Sequence, residues 1–146
     1  MATVRVETVL SVPDHAVWEA VADVGAVHER LLPGRVAAVR MDGDTRVLTM
    51  PDGWEVRELI VAVDHDQRRL AYAVVEGQRL PLTYHHASFQ VFPEPGGSRL
   101  VWTTDVLPHP MAAAVEARVS RGIEEIKQVL EAAQGVGNSS SGRSFM

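Results

Sequence analysis

The sequence predicts an α+β fold: a curved antiparallel sheet of about seven strands wrapped around a long C-terminal helix, with two short helices after the first strand. Three observations predict it. The stripe Val115, Val119, Ile123, Ile126, Leu130 and Ala133 recurs at three- and four-residue steps, the period of one buried helix face. From Arg35 to Leu107 the apolar period is two, interrupted by short turns rich in Gly, Pro and Asp. The helical segments flank this run of strands rather than alternating with it, which excludes a parallel α/β arrangement. One helix of roughly five or six turns cannot cover a flat sheet, so the sheet must curl. Curling tends to leave a space between helix and sheet, and such a space can hold a ligand.

The elements follow in order. Val4 to Val12 reads as a strand with Val4, Val6, Thr8 and Leu10 on one side. Pro13 suits a first helical position and Asp14 a first turn, and the stripe Val17, Trp18, Val21 marks a short helix ending near Asp23. A second short helix is expected over 24–31, stopped by Pro33-Gly34. Strands are expected near 35–41, 45–50, 54–63, 69–76, 83–92 and 99–107, separated by turns short enough to make neighbours antiparallel. Pro108 and Pro110 end the sheet, and the closing helix is expected from Met111 to Ala133. One ligand-binding domain over 1–133 and a flexible Gly/Ser-rich tail over 134–146 account for the chain.

Composition narrows the functions. The 146 residues are 46% hydrophobic and 23% charged, as in an ordinary soluble globular protein. A net charge of −5 without any basic run argues against nucleic acid as a partner. The absence of cysteine excludes disulfides, thiolate catalysis and cysteine-based zinc sites. No run approaches 18 apolar residues and Met1 to Glu7 lacks a secretory core, so no membrane insertion is expected and a cytoplasmic location is the default. No HExxH, Walker loop, GxSxG or GxGxxG occurs, and no cofactor or metal is expected. Oligomeric state is not readable.

Alternation assigns the inward side chains. In the strand after residue 83, Ala87, Phe89 and Val91 are apolar, which brings His85 onto the same face. Trp54, Val56, Ile60 and Ala62 share a face with Glu58, and Leu48 and Met50 share one with Arg46. Pro51-Asp52-Gly53 suits a three-residue hairpin loop, a type I turn closed by a left-handed glycine. That loop pairs Met50 with Trp54, Leu48 with Val56 and Arg46 with Glu58, whereas a two-residue loop would set the apolar faces out of phase. Arg46 and Glu58 are therefore predicted as an inward cross-strand pair, either a self-neutralising ion pair or ligand-facing groups in a wet cavity. His85 is likewise either a satisfied core histidine or a general acid–base. Trp54 and Arg79-Leu80-Pro81-Leu82 fall on loops at the sheet edge, where side chains pack on neighbours or cover an entrance. Trp18 and Trp102 read as core, but Leu100 and Val101 are equally apolar, which leaves the side that Trp102 faces open.

Several short motifs occur in a telling order: Val12-Pro13-Asp14-His15-Ala16-Val17-Trp18 followed by Asp23, the Asp52-Gly53 turn, and Val56-Arg57-Glu58-Leu59 leading to Asp64. Arg68-Arg69-Leu70-Ala71-Tyr72, Ala87-Ser88 with Val91, and Val101-Trp102 before Pro108 complete the series. Over residues 3–133 the chain thereby resembles the START-like, or SRPBCC, superfamily of polyketide cyclases/dehydrases and Bet v 1-like proteins. The resemblance implies a helix-grip fold with a hydrophobic cavity. It implies that Glu58 reaches the ligand, that Tyr72 and His85 line the pocket, and that the loops 50–54 and 78–82 act as lids. In the aromatase/cyclase members an aromatic residue commonly occupies the stretch matching 28–32; here His28-Glu29-Arg30-Leu31-Leu32 has none.

Three functions remain open. The first is binding of a small, mostly apolar, oxygen-bearing molecule. Leu48, Met50, Trp54, Val56, Tyr72, Val74, Ala87, Phe89, Val115, Val119 and Ile123 would supply the wall, and Arg46, Glu58, His85 and Arg30 the polar contacts. The second is a cyclase or dehydrase acting on a polyketide-like substrate, with Arg46 or Arg30 stabilising enolate charge and His85 or Glu58 as base. The third is a protein-interaction module with a vestigial cavity.

Overall fold

The computed structural model describes the backbone of residues 2–143 and the side chains of residues 2–134. Seven strands form one antiparallel sheet in the order β1-β7-β6-β5-β4-β3-β2. They are β1 (Ala2–Leu10), β2 (Ala38–Asp42), β3 (Thr45–Thr49), β4 (Glu55–Asp64), β5 (Arg69–Glu76), β6 (Tyr84–Glu94) and β7 (Gly97–Leu107). Two short helices, α1 (Asp14–Ala22) and α2 (Val27–Arg30), follow β1, and α3 (Ala112–Arg143) closes the chain after a short turn at His109–Met111. This is the α+β arrangement expected, with only the first strand displaced to the far edge beside the last.

The differences are local. The helix expected over 24–31 is a single turn, and Pro13 sits just outside α1, its carbonyl accepting from the Ala16 and Val17 amides. Helix α3 runs on past the Ala133 end expected for it. The flexible tail expected over 134–146 lies, from residue 135 onward, outside the described side chains.

The apolar stripes act as their periods require. On α3, Val115, Val119, Ile123, Ile126 and Leu130 are buried, while Ala133 is exposed. The helix packs on β1 and β7, and α1 covers β6 and β7. The main core gathers Leu10, Val17, Val21, Leu70, Leu100 and Ile126; a smaller one joins Val4, Val106, Val115 and Val119. Trp102 packs against both. Its inward direction is now fixed: the ring stacks on Phe89 with centroids 4.5 Å apart. On the helix side it meets Gly122, where an added Cβ would lie 2.9 Å from a ring carbon. A glycine within α3 weakens the helix by about 1 kcal/mol relative to alanine, and here it makes room for the indole.

Candidate functional site

Between α3 and β3, β4 and β5 the interior is not filled. A cavity of about 650 Å³ extends from Leu70, Phe89 and Trp102 outward between Leu48, Val56, Val74, Val115 and Val119. Its outer rim carries the exposed residues Arg35, Pro51, Asp52, Arg79, Arg118 and Arg121. The volume is within the range of sites that bury most of a small ligand.

Polar groups enter this apolar chamber from adjacent strands. The three-residue turn forms as its chemistry demands: Gly53 has φ +89° and its amide donates to the Met50 carbonyl, while the Met50 amide donates to the Trp54 carbonyl. The register then places Leu48 opposite Val56 and Arg46 opposite Glu58. Both charged residues point inward and are nearly solvent-free, at 3% and 9% exposure. Arg46 Nε donates to Glu58 Oε1 at 2.7 Å, Nη1 donates to the Val24 carbonyl at 3.3 Å, and the guanidinium lies 5.1 Å from the Tyr72 ring centroid. The pair is thus self-neutralising and cavity-lining at once.

The Tyr72 phenol is buried, and burial followed by the nearby Glu58 carboxylate pushes its pKa upward, so it remains a neutral hydrogen-bonding group. His85 of β6, opposite Val106 of β7, is held down to about 4 by burial first and by His86 second. It is therefore a neutral imidazole near pH 7. Three wall atoms have no hydrogen-bond partner: Gln78 Oε1, His85 Nδ1 and Trp102 Nε1. The Trp102 indole lies toward the Tyr72 hydroxyl without completing a hydrogen bond of regular geometry.

At the rim two loops are joined. Asp52 of the β3–β4 turn accepts from Arg79 of the β5–β6 loop at 2.5 Å. Trp54 Nε1 donates to the Gly77 carbonyl at 2.5 Å, and the Arg79 guanidinium lies 5.0 Å from the Trp54 ring centroid. Gly77 permits this crossing: at φ +84°, an added Cβ would sit 2.1 Å from the Glu55 carbonyl oxygen. A second tie, Arg35 to Glu125 at 2.5 Å, links the segment after α2 to α3.

Of the residues singled out from sequence, Arg46, Leu48, Met50, Val56, Glu58, Tyr72, Val74, His85, Phe89, Val115 and Val119 come together on the cavity wall. Four stand elsewhere. Arg30 pairs with Glu19 and Asp23 on the α1 side. Trp54 is 47% exposed and packs on the neighbouring loop, as its edge-loop position allows, instead of joining the inward face that strand phase gives it with Glu58. Ala87 and Ile123 are buried in the packed core behind the wall. Sequence reasoning missed Trp102, Arg118, Arg121 and Gly122 as wall or rim residues, and had Gln78 only as part of the 78–82 lid loop that the resemblance implies. The helix arginines carried a usable signal: they flank the stripe Val115, Val119, Ile126 one turn apart.

Among the described residues no helix is long and apolar enough to cross a membrane. In fold the chain is similar to solved structures from several organisms. An uncharacterised protein from Bacillus thuringiensis superposes with a TM-score of 0.78 at 17% identity, over 88% of this chain and 98% of that one. A protein from Thermobifida fusca gives 0.72 at 24% identity, over 90% and 91%. Truncated norcoclaurine synthase from Thalictrum flavum gives 0.69 at 19% identity, over 89% and 91%. No curated protein matches at a significant level. The family described as polyketide cyclase / dehydrase and lipid transport matches residues 1–131, the span that contains the sheet, both short helices and the cavity-facing part of α3. The chain belongs to that family.

Proposed function

We propose that this protein binds a small, mostly apolar molecule bearing hydroxyl or carbonyl groups in the cavity between α3 and strands β3 to β5. The observation that carries the reading is the unpaired set Gln78 Oε1, His85 Nδ1 and Trp102 Nε1 on an otherwise apolar wall. Buried polar atoms are nearly always hydrogen-bonded, and leaving one unpaired costs about 1–3 kcal/mol. An acceptor (Gln78), a donor (Trp102) and an imidazole nitrogen are completed together by a ligand that both donates and accepts, as a hydroxyl does. Native mass spectrometry of the protein isolated from its own cells tests this. A retained, non-covalent adduct of small-molecule mass, released on unfolding, is expected. A bare polypeptide mass that stays bare after incubation with apolar alcohols and ketones contradicts it.

The second reading is a cyclase or dehydrase, favoured by the way Arg46, Glu58, Tyr72 and His85 share one chamber. Such chemistry needs a base matched to the working pH. An imidazole held near 4 is a weak one, and the Glu58 carboxylate is engaged by Arg46. Both facts support hydrogen bonding over proton abstraction. His85→Gln distinguishes the two: loss of turnover with affinity spared marks an enzyme, and loss of affinity marks a binding protein.

A further inference from the structure

We propose that the ligand carries an anionic end, a carboxylate or a phosphate, held at the cavity rim by Arg118 and Arg121, while its neutral body lies inside. This rests on the reading of the cavity as a binding site and adds the charge of its occupant. Inside the chamber the charges cancel, since Arg46 faces Glu58. At the rim they do not. Arg35 is taken by Glu125 and Arg79 by Asp52, whereas among the described residues Arg118 and Arg121 form no ion pair or side-chain hydrogen bond. Arg121 is close enough to Glu125 to help keep that carboxylate ionised, but Glu125 is already held by two nitrogens of Arg35. The rim therefore has a surplus of positive charge in a chain whose net charge is −5, so the surplus is a local arrangement and not a reflection of composition.

The placement suits one occupant. Arg118 and Arg121 lie three residues apart on α3, so their heads can converge on one group. They flank Val115, Val119 and Gly122, the helix residues that form the cavity wall. Guanidinium groups match the paired oxygens of carboxylates and phosphates. Both arginines are exposed, so the anion would keep part of its hydration while the attached body leaves water.

The test uses N-phenylnaphthylamine, an uncharged fluorescent probe, displaced by three twelve-carbon competitors: dodecanoate, dodecyl phosphate and dodecanol. In the unaltered protein at least one of the anions is expected to displace the probe at about tenfold lower concentration than the alcohol. The advantage should vanish in Arg118→Gln/Arg121→Gln. It should persist in Arg5→Gln/Arg40→Gln, which removes the same charge from residues outside the rim. Whichever anion has the larger advantage identifies the head group. Equal competition by alcohol and anions, or an anion advantage that survives in Arg118→Gln/Arg121→Gln, overturns the inference while leaving the cavity reading intact. Failure of the probe to bind at all overturns the cavity reading and the inference with it.

Discussion

The two halves of the interior face the same sheet and are built by the same alternation, yet they end differently. Where α3 lies on β1 and β7, inward positions such as Leu10, Leu100 and Val106 are aliphatic and fully enclosed. Where it faces β3, β4 and β5, the inward rows hold Arg46, Glu58 and Tyr72 among the apolar residues, and a cavity remains. A sheet that curls far enough to grip the helix along one side stands off from it along the other. The difference teaches that the packed half supplies stability, while the open half leaves the room that the proposed ligand needs. The charged pair lies within the open half.

Perturbing each half separately probes this division. The largest effect is expected at the charged pair. Arg46→Met leaves the Glu58 carboxylate buried without its partner and should cost about 3–5 kcal/mol in urea unfolding. The double change Arg46→Met/Glu58→Leu should restore most of that stability, because a buried pair contributes little net. Next comes the packed half: Leu100→Ala opens a void in an enclosed core and should cost about 3 kcal/mol, while Met50→Ala on the cavity wall should cost about 1 kcal/mol or less. A comparable loss at both sites would mean that the open half is packed as well.

The pH dependence follows from His85. Its folded pKa is depressed to about 4, below the unfolded value near 6.5, so the unfolded chain binds the proton first. Its contribution to stability is fully present above pH 6.5. It is lost as pH falls through the interval down to about 4, by about 3 kcal/mol at most, and His85→Gln should flatten that slope. Gly122→Ala should change stability little, since the helix gain of about 1 kcal/mol opposes the clash with Trp102. Its signature is a weaker probe affinity, as the indole is pushed into the chamber. The smallest effect is expected at the rim: Asp52→Asn should leave the unfolding midpoint unmoved and speed release of a bound probe in stopped-flow fluorescence, by opening the tie to Arg79.

How much was legible in the sequence follows the same division. The β3–β4 register could be read because a three-residue turn fixes the pairing by itself, and Arg46 and Glu58 came with it. Eleven of the fifteen proposed ligand contacts lie on the wall because strand alternation and helix period decide them locally. Trp102 could not be oriented, as Leu100 and Val101 are both buried and the alternation has no phase there. Strand phase and edge-loop position point Trp54 in different directions, and the choice is made by a bond from its indole to Gly77, a contact between loops that no local pattern encodes. Which residues beside the α3 stripe and on the 78–82 loop border the cavity depends on where the curled sheet leaves its gap. That is a property of the whole fold, and it escapes any single segment.

The central claim, that the half facing β3 to β5 receives a ligand and the other half does not, is tested most directly by methyl NMR with a bound apolar probe. Intermolecular NOEs are expected to the methyl groups of Leu48, Val74, Val115 and Val119, with none to Leu10 or Leu100. NOEs confined to the exposed convex-face residues Leu59 and Val61, or reaching Leu10 and Leu100 as strongly as Leu48, would contradict it.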